Sequence, residues 1–277
     1  MPRHAGDFFD AMAADYDVLE PWYEHLYAQL HAVLRVALRP PLHVASPRAL
    51  DAGCGTGFQA AVLQELGYTV HGLDLAPRLL RAARDRLPHA PLVQGDVEAL
   101  PFRDGCFAAA TCCGSTLSYV GDAPRALAEL ARVLAPGGRL LLECEGRWSA
   151  DLAWAWLCGL LGDRWGYELT PADVWRAVST PRDRECRLPY PGYGSLRLFG
   201  VGELAKLLAA AGLETLRVWG IHWITNLLPS TVLHRPRLGV ATAAVYRALC
   251  RVDAALSTRW PAARLANSLV VLAAKTG

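Results

Sequence analysis

The sequence predicts an α/β fold, an open and mostly parallel sheet with helices on both faces. Two observations predict it. Short apolar runs near 48–53, 69–74, 91–95, 106–113 and 138–145 alternate with helical patterns near 58–66, 77–87 and 122–135. Alternation on this scale means parallel strands joined by crossovers. The first run also ends in a glycine turn, Asp51-Ala52-Gly53-Cys54-Gly55-Thr56-Gly57. Three glycines at alternate positions let the backbone bend tightly and let a ligand approach the main chain.

Each element has its own signal. Trp22, Leu26, Leu30, Val33, Leu34 and Ala37 recur at helical spacing, and Pro40-Pro41 ends that helix. His25 and His31 ride on it and read as solvated or core-edge groups. Pro77 stands at a first helical position, and Gly137-Gly138 turns a helix into the fifth strand. The loop after the fourth strand, Cys112 to Tyr119, falls at the carboxyl end of the sheet, where open parallel sheets bind ligands. Ser115, Ser118 and Tyr119 can hydrogen-bond a ligand there, against the alternative that the serines cap their own loop and the tyrosine packs in the core.

The alternation breaks over 147–198. This stretch carries Trp148, Trp154, Trp156, Trp165 and Trp175 with Tyr167, Tyr190 and Tyr193, and a capping box with Pro at N1 in Thr170-Pro171-Ala172-Asp173. An insertion at this point lies over the ligand cleft, so it reads as an aromatic lid. A helix then runs to Ala211 and closes at Gly212, a strand follows from Glu214 to His222, and a last strand spans Ser268 to Ala274. A second insertion, 223–266, separates those strands and is rich in arginine from 234 to 264. The expected organisation is a helical cap (1–42), a ligand-binding core (43–146), a lid (147–198) and a completion of the sheet (199–277) carrying the basic insertion. A basic amphipathic helix in that insertion can touch a membrane surface peripherally or pack on its own domain.

Composition narrows the classes. Hydrophobic residues make up 53% and charged residues 19%, which excludes disorder. A net charge of +2 gives no reason to expect nucleic acid. No apolar run opens the chain, so no signal peptide is expected, and Leu152 to Leu161 is too short to cross a bilayer. The eight cysteines form no C-x-x-C pair, so no metal is expected and a reducing cytoplasm is.

The glycine turn reads G-x-G-x-G after an acid, not the G-x-G-x-x-G of dinucleotide binders. An acid before the first glycine suits a ligand carrying positive charge. The arrangement resembles the motif of class I S-adenosylmethionine (SAM)-dependent methyltransferases. Gly95-Asp96 with Leu100-Pro101-Phe102, the run Arg132 to Arg139, and Glu143 extend the resemblance over about 45–145, most generally to methyltransferases of ubiquinone and menaquinone biosynthesis. The resemblance implies a Rossmann-like seven-stranded sheet, six strands parallel and one antiparallel. It implies that Asp51, Gly53, Gly55 and Gly57 cradle the amino-acid portion of SAM, that Asp74 takes the ribose hydroxyls, that Asp96 with Val97 takes the adenine, and that Cys54, Leu75 and Cys113 are further cofactor contacts. Phe8-Phe9-Asp10 and Asp15-Tyr16-Asp17 resemble the family's lead-in segment, which folds over the cofactor.

The acceptor is expected to be small, aromatic or lipid-like, with Tyr16, Ser115, Tyr119, Trp148, Tyr193 and His222 as its contacts. A general base, where one is used, is expected among His222, Tyr119 and Glu143, with Glu145 two residues on along the same strand face. His222 follows the strand expected to open on the cleft, and an imidazole suits proton removal near neutral pH. The alternative from another class is a SAM-binding protein without catalysis that acts as a membrane-associated partner.

Overall fold

A computed structural model describes residues 5–14, 16, 23–41, 45–164, 166–190, 193–233, 239–259 and 261–276. Asp15, Asp17, Trp22, Trp165 and 234–238, with Arg235 and Arg237, lie outside these residues, as do the side chains of 23–26, 232–233 and 262–263.

Among the described residues the first helices are α1 (Ala5–Met12) and α2 (Tyr23–Ala37). The core then alternates: β1 (Arg48–Ala52), α3 (Phe58–Glu65), β2 (Thr69–Asp74), α4 (Pro77–Arg86), β3 (Leu92–Gln94), β4 (Phe107–Cys112), α5 (Thr116–Tyr119), α6 (Ala123–Val133) and β5 (Leu134–Glu145). The lid holds α7 (Ala150–Leu160), α8 (Pro171–Ser179) and the strands β6 (Cys186–Tyr190) and β7 (Gly194–Leu198). The chain ends with α9 (Val201–Ala210), β8 (Leu213–Ile221), a 3₁₀ turn (Thr225–Leu227), α10 (Ser230–Leu233), α11 (Val240–Leu256), α12 (Ala262–Leu265) and β9 (Ser268–Lys275).

Seven strands form one sheet in the order β3-β2-β1-β4-β5-β9-β8. β9 runs antiparallel to both neighbours, and the other six are parallel. This is the expected Rossmann-like α/β sheet. Its central strands are buried on both faces, as parallel strands flanked by helices must be. Leu140 and Leu142 of β5 face one core with Leu127 and Leu130 of α6, whereas Leu141 faces the other with Leu30 and Leu34 of α2 and Leu63 of α3. β1 lies between β2 and β4, so strand order reverses at its carboxyl end, and a crevice opens there.

The lid differs from its sequence reading. The sequence suggests one helix in it; the structure adds α7 and an antiparallel β6–β7 hairpin pairing Cys186 with Leu198 and Tyr190 with Gly194. Both strands run through polar and proline positions, and their inward side chains pack in a cluster with Leu152, Cys158 and Val174, against which Tyr119 of the loop after β4 also packs. The box at Thr170 is formed: its hydroxyl accepts from Asp173 N while the Asp173 carboxylate accepts from Thr170 N. Among the described residues no helix is long and apolar enough to cross a membrane. None of the eight cysteines forms a disulfide, and no group of metal-ligating side chains is found among the described residues.

Candidate active site

The glycine turn is held by strand β2, because Gly53 N and Cys54 N both donate to Leu73 O (2.7 and 2.9 Å). Gly53, Gly55 and Gly57 all have positive φ (73°, 52° and 89°). At Gly53 an added Cβ would meet Thr116 Oγ1 at 2.3 Å, whereas at Gly55 it would meet nothing within 4 Å, because that side faces open space. Asp74 braces the turn: Gly55 N donates to Oδ2 (2.8 Å) and Ala76 N to Oδ1 (2.9 Å). A carboxylate has about four acceptor sites, so it can take a ligand hydroxyl as well. Burial raises the Asp74 carboxyl above its usual range.

These groups surround a cavity of about 380 Å³, within the ~300–1,000 Å³ span of small-molecule sites. Gly53, Cys54, Gly55, Asp74, Leu75, Asp96, Val97 and Cys113 line it, all of them expected cofactor contacts. Asp51 and Gly57 do not line it. Asp51 is 1% exposed at the end of β1, its Oδ1 accepting from Thr111 Oγ1 (2.7 Å), and burial pushes its carboxyl up to about 7. The described lining contains Asp74, Asp96 and Glu98 and no Lys, Arg or His. Such a wall repels a pyrophosphate and suits a ligand with positive charge.

A second cavity, of about 420 Å³, shares Phe9, Tyr16, Tyr27, Gly114 and Tyr119 with the first. It reaches from the sheet to the lid and is bounded by β5, α7 and the β6–β7 hairpin. Alternation along β5 brings Glu143 and Glu145 into it together, and Ser115, at φ 58°, links them. Ser115 N donates to Glu143 Oε2 (2.7 Å) and Ser115 Oγ to Glu145 Oε1 (2.7 Å). Asn267 Nδ2 donates to Glu145 Oε2 (3.1 Å). Burial, with repulsion from Glu143 and Asp151, pushes the Glu145 carboxyl up to about 8, and burial raises Glu143 as well. Burial and the neighbouring charge thus favour the protonated form of Glu145 at neutral pH.

Aromatic rings divide the two cavities. Phe9 meets Tyr119 edge-on at 4.9 Å between centroids, and Tyr119 meets Tyr193 at 5.3 Å and Tyr190 at 5.9 Å. Tyr193 donates its hydroxyl proton to Tyr119 O (2.7 Å), which ties the lid to the loop after β4. Burial drives the Tyr119 phenol well above its ordinary range, so it serves as a hydrogen-bonding wall and not as a base at neutral pH.

Of the expected acceptor contacts, Tyr16, Ser115, Tyr119 and Tyr193 line a cavity, whereas Trp148 and His222 line neither. Trp148 is 37% exposed beside the Arg147 guanidinium. His222, the expected base, is 2% exposed at the end of β8, and Nδ1 meets Thr225 Oγ1 (3.1 Å), which donates to Asp253 Oδ2 (2.9 Å). The backbone at His222 is left-handed (φ 60°), and through Thr225 its ring is linked to Asp253 of α11. Sequence reasoning passed over Tyr27 and Tyr190, which line the second cavity. Tyr27 had a signal, a polar-tipped aromatic on the core-facing stripe of a helix that ends at the sheet; Tyr190 had none before the hairpin was known.

Residues 50–142 match the model of a methyltransferase domain. Over 118 residues the chain is 43% identical to a malonyl-[acyl-carrier protein] O-methyltransferase of Serratia marcescens, covering 42% of each chain. Over 145 residues it is 37% identical to a demethylmenaquinone methyltransferase of Corynebacterium kroppenstedtii, covering 52% of this chain and 60% of that one. The chain thus spans about half the length of these curated relatives. A chain in the solved complex of the Haloferax volcanii Trm112 methyltransferase activator with a methyltransferase superposes over 100% of both chains, with a TM-score of 0.61 at 18% identity, a likeness of fold.

Proposed function

The chain carries a domain of the class I SAM-dependent methyltransferase family, and from that premise we propose that it moves a methyl group from SAM in the first cavity to a small, hydrophobic acceptor in the second. The observation that carries this is the shared wall: Phe9, Tyr16, Tyr27, Gly114 and Tyr119 border both cavities, so their occupants abut. In-line transfer needs that proximity and the exclusion of water.

The residues fit SAM. The open side of Gly55 admits a ligand against the main chain, Asp74 accepts ribose hydroxyls, and Asp96 with Val97 borders the base. The acidic wall suits a ligand with ammonium and sulfonium charges. SAM, when bound, supplies an electrophilic methyl on a positively charged sulfur. The chain's own work is to orient the acceptor and to take its proton, and Glu143 and Glu145 hold the position for the second task.

The two relatives' names give two acceptors, a malonyl-[acyl-carrier protein] and a demethylmenaquinone. Identity to them covers only about half of each chain, so we carry over the reaction and leave their acceptors with them. Eight cysteines outside any disulfide suit a cytoplasmic enzyme. Exposed Val240, Val245 and Val252 of α11, beside Arg247 and Arg251, support peripheral contact with an anionic membrane surface. The only acid in α11, Asp253, is buried.

The test is calorimetric titration with S-adenosylhomocysteine, followed by incubation with methyl-labelled SAM and a small-molecule extract. Saturable binding and extract-dependent release of S-adenosylhomocysteine are expected. A folded protein that binds neither compound refutes the proposal; binding without turnover would leave a SAM-binding partner protein.

A further inference from the structure

We propose that the acceptor is a hydrophobic molecule bearing a protonated amine, and that Glu143 and Glu145 receive that amine in the second cavity. The transfer step rests on the methyltransferase reading; the binding does not.

Charge is the first argument. The described lining holds Glu143, Glu145, Asp151 and Glu168, and no Lys, Arg or His. Asp151 is already engaged, accepting from the Tyr167 hydroxyl (2.6 Å), Ser230 N (3.0 Å) and Ser230 Oγ (2.9 Å). Glu168 is exposed. Glu143, 4% exposed, and Glu145 accept only neutral donors in the bonds described above, Ser115 and Asn267. Buried carboxylates are stable when a counter-charge faces them, and a cationic ligand would bring it. Among the described residues of the lining, an acceptor with a carboxylate or phosphate would meet acids and no cationic side chain.

The rest of the wall agrees. Phe8, Phe9, Tyr119 and Tyr190 stand together, Phe8 to Tyr190 at 6.1 Å and Tyr119 to Tyr190 at 5.9 Å, and ring faces attract ammonium groups. Leu30, Leu152, Leu188, Leu196 and Ile221 supply an apolar bed for the rest of the molecule. Thr231 Oγ1 also lines the cavity, buried and with no hydrogen-bond partner among the described residues, a polar group left for a ligand.

In the transfer the ammonium loses one proton to the Glu145 carboxylate. The freed nitrogen lone pair forms the new N–C bond as the methyl–sulfur bond breaks, and that bond's electron pair stays on sulfur. The product is a methylated ammonium and a neutral thioether, and the proton on Glu145 leaves to water.

Matched probes test the proposal: phenethylamine, 2-phenylethanol and 3-phenylpropionate, with the corresponding indolyl and octyl triplets, titrated calorimetrically into the full chain with and without S-adenosylhomocysteine. Amines are expected to bind at least about tenfold more tightly than their alcohols and acids, the size of one charge-assisted contact. E143Q and E145Q should remove that preference and leave S-adenosylhomocysteine affinity unchanged. Alcohols or acids binding as tightly as amines, no amine in the panel binding, or Gln variants that keep the preference would overturn the proposal. The wild-type selectivity decides the matter even where a variant fails to fold. Amine binding without S-adenosylhomocysteine binding would uphold this cavity and refute the methyltransferase reading.

Discussion

Replacing His222 separates a structural role from a catalytic one. Its Nδ1 lies 3.1 Å from Thr225 Oγ1, and the single hydroxyl proton of Thr225 goes to Asp253 Oδ2 at 2.9 Å. Thr225 therefore accepts, and His222 donates through Nδ1. Asp253 Oδ1 takes Trp223 N and Ile224 N at 3.1 and 3.0 Å, so the chain His222–Thr225–Asp253 fastens α11 to the end of β8. His222→Ala leaves a buried hydroxyl oxygen without its donor, about 1–3 kcal/mol, and empties the space of a buried ring, about another 1–2 kcal/mol on the scale of core truncations. At about 2–4 °C per kcal/mol for a large domain, the melting temperature should fall by several degrees or more. The backbone adds an inverted ranking. At φ 60° a Cβ costs about 1 kcal/mol, so His222→Gly should be more stable than His222→Ala, against the usual order. Scanning calorimetry and kcat per folded molecule on the same preparations check both points, with kcat expected near wild type because the ring lines neither cavity. A drop in kcat of about a hundredfold at unchanged melting temperature would restore His222 as the general base, and Ala ranking above Gly would refute the backbone argument.

Asp74→Ala should weaken S-adenosylhomocysteine binding by about 2–4 kcal/mol, two charge-assisted hydrogen bonds, and unclamp the turn at Gly55; equal affinity by calorimetry would remove Asp74 from the site. Gly53→Ala should also impair binding, since its Cβ meets Thr116 Oγ1 at 2.3 Å, and adding Thr116→Ala should recover part of the loss in the same titration. The Glu145 carboxyl moves from an ordinary 4.5 to about 8 on folding, so between those values the folded chain holds a proton that the unfolded chain has lost; stability should fall as pH rises from about 4.5 to about 8 and level off above it. Chemical denaturation across that range should show a slope that Glu145→Gln reduces, and kcat/KM should rise toward pH 8 in wild type only, because the ionised form is the base. Sedimentation with vesicles of phosphatidylglycerol should capture the wild-type chain and lose it on Arg247→Gln with Arg251→Gln, whereas equal capture by phosphatidylcholine alone would refute an electrostatic contact.

The sheet was legible because parallel strands and their crossover helices are local patterns. Leu50 and Leu140 sit in apolar runs that only a twice-covered strand tolerates; Pro77 opens α4 and Gly212 follows α9, whereas Gly137, expected at the turn into the fifth strand, lies inside β5, which starts already at Leu134. The first cavity was legible for the same reason. Its wall comes from the ends of consecutive strands, so Gly53, Gly55, Asp74 and Asp96 could be placed by counting strands. The β6–β7 hairpin was not legible, since the sequence carries Pro189, Pro191 and Gly192 between its apolar positions, and these break any alternation that periodicity would detect.

The second cavity sets the two candidate bases, His222 and Glu145, apart: Glu145 lines it and His222 does not. Counting strands puts His222 and Glu145 at equivalent positions, the carboxyl ends of neighbouring parallel strands on either side of β9. What separates them is the residue that follows. Glu145 continues into Gly146, where an added Cβ would meet Ala266 O at 2.2 Å, so the strand runs flat against the 266–267 backbone and its side chain stays in the cleft. His222 leaves its strand through a left-handed turn, and the next two N–H groups bind Asp253, thirty-odd residues on in an inserted helix whose packing no local pattern announces. The orientation of that ring is decided by a buried carboxylate on α11. Asp253→Asn, which keeps the shape and can still accept through one oxygen, should therefore cost stability before it costs activity, and a selective loss of kcat would show that α11 holds the catalytic geometry and not only the fold.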